Sequence, residues 1–153
     1  MTPALHATLV FEREIAASPQ AVFAALADPL ARSQWGTPSD TAVLIYDAAD
    51  FREGGQDHFR CGSRTNPNIH GVTYYLDIVP DRRVISSETL VVDGNRLCVS
   101  LSTHELSPDD NKTRLKSTTQ LASFVGEDMV KGFTTGTNSS LDGLVRYFLK
   151  VRA

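Results

Sequence analysis

The sequence has few of the features that mark secreted or membrane proteins. It contains only two cysteines, Cys61 and Cys98, too few for the disulfide framework of a small secreted domain. No apolar run approaches the ~20 residues needed to span a membrane. The N-terminal stretch MTPALHATLV lacks the basic region and the small-residue cleavage site of a signal peptide. We therefore expect a cytoplasmic protein that does not insert into membranes.

An excess of positive charge is also missing. Lysine and arginine total 15 against 18 aspartates and glutamates, which gives a net charge of −3. Proteins that bind nucleic acids or anionic membrane surfaces carry clustered basic residues, so neither partner is expected. What the chain does have is 153 residues with 41% hydrophobic content, enough for one domain with its own core. We expect residues 1–153 to form a single domain.

Two short helices are predicted after the first strand. Residues 6–15 alternate in the manner of a half-buried strand. Ser18-Pro19 and Asp28-Pro29 then each place a capping side chain before a proline. Proline suits the first helical position because its missing N–H would be unpaired there. The sequence therefore predicts a strand followed by two short helices in tandem.

The middle of the chain is rich in β-forming residues. Asp93-Gly94 is a strong two-residue hairpin signal, because both central positions of that turn need a positive φ. Turn residues divide the region into predicted strands over residues 41–46, 56–62, 70–79, 83–92, 96–106 and 113–124. The alternation in these segments predicts an antiparallel sheet with apolar residues inside and polar residues outside.

The C-terminal segment, residues 127–151, is predicted to be one long helix. One face carries Met129, Phe133, Gly136, Ser140, Leu144 and Phe148 at spacings of three and four. This face should lie across the inner face of the sheet. Gly136 permits two interpretations that we leave open: close packing of the helix on the sheet, or room for a ligand between them.

The order of elements resembles that of a known superfamily, the START-like or helix-grip proteins (SRPBCC; polyketide cyclases and the birch-pollen allergen). Within it, the sequence is most similar to the bacterial subgroup that resembles the activator of the heat-shock-protein-90 ATPase. The resemblance extends over essentially the whole chain, and its motifs are segments 18–23 (SPQAVF), 30–35 (LARSQW), 51–55 (FREGG), 77–84 (DIVPDRRV) and 113–115 (TRL).

The resemblance implies an α+β helix-grip fold. A curved antiparallel sheet of about six or seven strands would wrap around the long C-terminal helix, with two short helices after the first strand. It also implies a cavity between helix and sheet that binds a small, mostly apolar molecule. Because members of the superfamily differ in activity, a cyclase- or hydratase-type enzyme and a chaperone-linked binding module are alternatives. Asp57 departs from the subgroup, which often has an aromatic residue at this position.

We predict the following residues to line the cavity: Trp35, Asp57, Phe59, Tyr74, Tyr75, Glu88, Met129 and Phe133. Asp57 shares a strand face with Phe59, so the two point the same way. If that way is inward, the carboxylate is paired or its pKa is raised; a strand-end position in water, or pairing with an arginine, is favoured. Adjacent Tyr74 and Tyr75 must face opposite sides of the sheet.

The remaining candidates have simpler alternatives. Glu88 would be a polar anchor or a general base if it points inward, and an ordinary surface charge, the favoured interpretation, if it points outward. Trp35, Met129 and Phe133 are core residues by default and cavity walls only if the cavity exists.

No cofactor or metal site is predicted. The four histidines at positions 6, 58, 70 and 104 are scattered and have no metal-ligand spacing. The expected partner is a small apolar or amphipathic molecule. A second copy of the chain and a chaperone are the candidate protein partners.

Overall fold

A computed structural model describes residues 3–152 of the chain. Seven strands and three helices follow one another in the order β1 (Leu5–Ile15), α1 (Pro19–Ala27), α2 (Pro29–Trp35), β2 (Ala42–Ala48), β3 (Gln56–Ser63), β4 (Ile69–Val79), β5 (Arg83–Val92), β6 (Asn95–Asp109), β7 (Lys112–Ser123) and α3 (Glu127–Arg152). The predicted α+β helix-grip fold is confirmed.

The sheet is antiparallel throughout, with the spatial order β1-β7-β6-β5-β4-β3-β2. β1 and β2 are its two edges. The tight turn between β5 and β6 is the one that the sequence predicts, since Asp93 and Gly94 have φ values of 51° and 78°. Such turns match the twist of the flanking strands and fix their register.

Both short helices begin as the sequence predicts. The Ser18 side chain accepts a hydrogen bond from the backbone N–H of Ala21 (3.2 Å), and the Asp28 carboxylate accepts one from Leu30 N–H (3.0 Å). A proline occupies the first turn of each helix. These caps position α2 so that its last residue, Trp35, reaches the long helix.

The apolar core lies at one end of the molecule, beneath the C-terminal half of α3. Leu141, Leu144 and Phe148 pack there with Phe11 and Ile15 of β1. Residues of α1 and α2 and the adjacent ends of β6 and β7 complete this core: Val22, Ala25, Leu26, Ala31, Leu106 and Leu115. The N-terminal half of α3 is different, because its inward side chains Met129 and Phe133 are only half-buried.

Small residues in α3 allow it to pack closely against α2 and against the segment that follows α2. A Cβ on Gly143 would lie 2.2 Å from the Trp35 carbonyl oxygen, and one on Gly136 would lie 3.4 Å from the Pro38 side chain. Of our two interpretations of Gly136, close packing therefore agrees better with the structure. The packing partner, however, is the segment after α2 rather than the sheet.

The side of the sheet that faces α3, here called the concave face, is polar at its centre. In β6 the inward residues are Cys98, Ser100, Ser102 and His104, whereas Leu101 points outward. The expected alternation with apolar residues inside is therefore wrong for this strand. Inward hydroxyl groups are compatible with the interior because neighbouring strands supply them with hydrogen-bond partners.

Candidate functional site

Hydroxyl groups cover the middle of the concave face. Ser102 Oγ lies 3.0 Å from Thr119 Oγ1 on the adjacent strand, and His104 Nδ1 lies 2.7 Å from Ser117 Oγ. Neighbouring inward positions carry Thr73, Ser86 and Ser100. We call this set of serine and threonine side chains the hydroxyl floor. It offers both donors and acceptors, because each hydroxyl can serve as either.

His104 is an uncharged member of this surface. Burial lowers its pKa to about 4, because an interior site disfavours the imidazolium. The ring is therefore neutral near pH 7, and one of its nitrogens accepts a hydrogen bond while the other donates. No pattern in the sequence singled out His104, which stands between Thr103 and Glu105 on the strand.

The Glu88 carboxylate lies among the side chains of the hydroxyl floor. It lies between Thr73 of β4 and Ser100 of β6 in the sheet register. Burial raises its pKa to about 7, and a hydrogen bond from Thr73 offsets part of that rise. No lysine, arginine or histidine of the described residues forms an ion pair with it.

The favoured sequence interpretation of Glu88 as a surface charge is wrong. The side chain shares the inward face of β5 with the buried residues Val84 and Ser86. It is nonetheless only half-buried, although protein surrounds it closely enough to raise its pKa. Both observations agree if the carboxylate borders a space inside the molecule.

A buried ion pair closes the neighbouring end of the concave face. Arg32 of α2 donates from Nη1 to the Asp57 carboxylate and to the Tyr75 hydroxyl, the latter at 2.6 Å. Tyr75 donates in turn to Asp57, and the second Asp57 oxygen accepts from Asp50 N–H at 3.1 Å. We call Arg32, Asp57 and Tyr75 the buried triad. Asp57 is 0% exposed and Arg32 8% exposed, so opposite charges compensate each other out of water.

Aromatic rings enclose the buried triad. The Arg32 guanidinium carbon lies 4.4 Å from the ring centroid of Tyr46, within the range of a cation–π contact. Burial raises the pKa of Tyr46 to about 12, so its hydroxyl stays protonated. Nε and Nη2 of Arg32 are buried without a hydrogen-bond partner among the residues that the structure describes. The guanidinium is thus held by one nitrogen and by the face of a ring.

Phe59 covers the sheet surface beside the buried triad. Its ring lies directly over Gly71 of the neighbouring strand, where a Cβ would come within 2.0 Å of the ring. The centroids of Phe59 and Tyr46 are 5.8 Å apart. Glycine at position 71 is therefore required, because any side chain would displace the aromatic ring from the sheet surface.

The structure brings most of the predicted cavity residues to the concave side. Asp57, Phe59, Tyr75 and Glu88 lie on it, and Met129 and Phe133 are half-buried on α3. Tyr74 does not: it is 44% exposed on the outer face, so Tyr75 is the inward tyrosine. Trp35 packs against the core, and its indole N–H donates to the Ala25 carbonyl at 3.0 Å. The ligand-binding roles of these residues stay predictions.

Arg32 is the site residue that sequence reasoning missed. Nothing in the local sequence around Arg32 indicates that Asp57 lies opposite it. The signal that could have found it was Asp57 itself. A carboxylate on the same strand face as a core phenylalanine needs a buried cation, and Arg32 is the basic residue in the two short helices.

Other surfaces and side chains of the protein give less support for a functional site. Two open grooves, of about 450 and 470 Å³, lie on the outer side of the sheet. Burial raises the pKa of the Cys61 thiol to about 11 and that of Cys98 to about 12, so both thiols are protonated. Within residues 3–152 no cluster of three potential metal ligands occurs, and no helix is long and apolar enough to cross a membrane.

An open antiparallel sheet wrapped around a long C-terminal helix, with two short helices after the first strand, is the START-like or helix-grip fold. A family profile described as "Activator of Hsp90 ATPase homolog 1-like protein" matches residues 16–149. The chain belongs to this family. The resemblance drawn from its motifs is thereby confirmed.

Solved structures agree with this assignment. A crystal structure of a protein from Rhizobium loti is 33% identical and has a TM-score of 0.83; the match covers 95% of this chain and 99% of that one. An uncharacterised protein from Rhizobium leguminosarum is 27% identical with a TM-score of 0.82, covering 96% and 97% of the two chains. No significant match was found among curated proteins.

Proposed function

We propose that the protein binds a small amphipathic molecule between the N-terminal half of α3 and the concave face. One observation carries the proposal. Glu88, Ser102 and His104 lie at the centre of the inner face, yet all three keep accessible surface. Side chains in a solid core do not, because protein interiors pack at the density of organic crystals. The apolar core below the C-terminal half of α3 does not extend to this region.

The surroundings favour an amphipathic molecule over a purely apolar one. The sheet side presents hydroxyl groups and the Glu88 carboxylate. The helix side presents Met129 and Phe133, and the aromatic rings of Tyr46 and Phe59 stand at one end. Ligand sites commonly combine an apolar lining with a few polar groups that fix orientation. Our expectation of a mostly apolar ligand therefore changes to one with a polar edge directed at the sheet.

Native mass spectrometry of protein purified from its own host tests this proposal. We expect a retained small molecule, and we expect Ser102→Phe to lose it, because the new ring would fill the space above the hydroxyl floor. Leu101→Phe is the matched control, since the neighbouring residue points outward and is already 36% exposed. Equal retention by wild type and Ser102→Phe would place the molecule elsewhere and contradict the proposal.

A cyclase- or hydratase-type enzyme is a second candidate, and Glu88 is the observation that favours it. A carboxylate with a pKa of about 7 can accept and return a proton near neutral pH. The test compares what wild type and Glu88→Gln retain. An enzyme would leave substrate on the variant and product on the wild type, differing for a hydratase by the mass of one water. The same molecule on both would argue for binding alone.

The family's description also suggests a chaperone-associated module. Such a partner would need exposed apolar residues, and the outer side of the sheet has Val10 at 55% exposure and Leu76 at 53%. Recovery of Hsp90 with wild type but not with Val10→Asp would support this role; equal recovery with both would remove this surface from consideration.

A further inference from the structure

Glu88 is an inward carboxylate that forms no ion pair with a cation among the described residues. Asp57, the other inward carboxylate, is neutralised by Arg32 within the buried triad. Glu88 accepts a side-chain hydrogen bond from Thr73. A carboxylate has about four acceptor positions, so the Thr73 hydrogen bond uses only part of its capacity.

The groups that are coupled to Glu88 electrostatically or by a hydrogen bond are all neutral or negative. They come from four strands: Tyr46 of β2, Asp57 and Cys61 of β3, Thr73 of β4, and Cys98 of β6. In α3, Met129 and Phe133 are uncharged and half-buried, whereas the charged residues Glu127, Asp128 and Lys131 are exposed. Arg32, the cation of the buried triad, already has Asp57 as its counter-ion. Nothing in this region compensates a second negative charge.

We propose that Glu88 anchors the protonated amine of an amphipathic ligand whose apolar part lies against Met129 and Phe133. This inference rests on the proposed binding function and adds the chemical class of the ligand. An ammonium group supplies the missing positive charge and up to three hydrogen bonds. A carboxylate-bearing ligand would add a second negative charge next to Glu88 and Asp57, and a neutral alcohol would leave the charge uncompensated.

A protonated amine also fits the surroundings of the carboxylate. An ammonium ion donates and does not accept, so its remaining protons need acceptors. The serine and threonine hydroxyls of the floor, including Ser100 directly across from Glu88 in the sheet, can provide them. Hydrogen bonds between ionised partners are roughly twice as strong as neutral ones, and an enclosed site strengthens them further.

Three probes that differ in their polar group test the inference: octylamine, octanol and octanoate. Their binding is measured by isothermal titration calorimetry at about pH 8, where Glu88 is ionised. We expect the amine to bind about tenfold or more tightly than the alcohol, and octanoate to bind least. Alcohol binding equal to amine binding, or tighter octanoate binding, would overturn the inference while leaving the proposed binding function intact. Failure of all three probes would overturn both.

Variants of Glu88 test whether its negative charge, rather than the space around it, determines amine binding. Glu88→Gln keeps the shape of the side chain and one acceptor oxygen but removes the charge; it should bind the amine no better than the alcohol. Glu88→Asp withdraws the carboxylate and should weaken amine binding selectively. Amine affinity of the wild type should rise from about pH 6 to about pH 8 as the carboxylate ionises, with no such rise in Glu88→Gln. A preference that survives in Glu88→Gln refutes the anchor.

Discussion

Replacing Asp57 by asparagine should destabilise the protein strongly. The substitution keeps the size of the side chain but leaves the Arg32 guanidinium without a counter-ion, at a site where Asp57 is 0% and the Arg32 side chain 9% exposed. Removing one partner of a buried ion pair costs about 3–5 kcal/mol. Each kcal/mol lowers the melting midpoint of a domain of this size by about 2–4 °C. We therefore expect a decrease of about 6–20 °C in thermal unfolding followed by circular dichroism.

Two controls decide whether charge is the cause. Asp47→Asn breaks the exposed ion pair with Arg60 of the neighbouring strand. It should change the melting midpoint little, because solvent screens such pairs. The double variant Arg32→Met/Asp57→Leu removes both charges and should recover much of the stability that Asp57→Asn loses. A single variant that melts within about 2 °C of wild type, or a double variant no better than the single one, would refute this reasoning.

The other predictions concern α3 and the polar interior. Gly143→Ala should destabilise by about 1–3 kcal/mol in urea unfolding, because its methyl group would meet the Trp35 carbonyl; Gly132→Ala in the same helix has open space and should stabilise by up to about 1 kcal/mol, and equal effects would contradict the packing described. Glu88 has a raised folded-state pKa of about 7 against 4.5, so its contribution to the free energy of unfolding is full below about pH 4.5 and falls as pH rises towards 7. Relative to Glu88→Gln, wild type should lose at most about 3 kcal/mol across that window. His104 acts with the opposite sign: its lowered pKa of about 4 against 6.5 means that stability is present above about pH 6.5 and is lost as pH falls towards 4. His104→Gln should abolish that acid-side loss, and an unchanged pH profile would refute the burial of this ring.

Much of the fold could be predicted from local signals. The cap-and-proline pairs at Ser18 and Asp28, the hairpin at Asp93-Gly94 and the periodicity of the C-terminal segment each specify an element through interactions between near neighbours in sequence. The observed strands and helices begin and end within a few residues of those predicted. These elements depend on contacts that the sequence pattern represents directly.

The interior could be predicted only in part, because its polarity depends on contacts between distant residues. Alternation in β6 separates Leu101 from Ser102 but does not say which side is inside, and average hydrophobicity favours the wrong answer. The correct one depends on partners such as Thr119 and Ser117, which the sheet register brings opposite. Likewise, Asp57 could be placed on a strand face, but its pairing with Arg32 joins positions 25 residues apart.

The separation of the apolar core from the hydroxyl floor has a consequence for evolution and engineering. Leu144, Phe148, Ile15 and their neighbours maintain stability at one end of α3, while Ser100, Ser102 and Thr119 lie under the other end and contribute few apolar contacts. Substitutions in the floor that preserve its hydrogen-bond pairs, such as Ser102 with Thr119, therefore cost less stability than substitutions in the core. One scaffold could in this way acquire many ligand preferences, and a designer could vary the floor as a library while keeping the core constant.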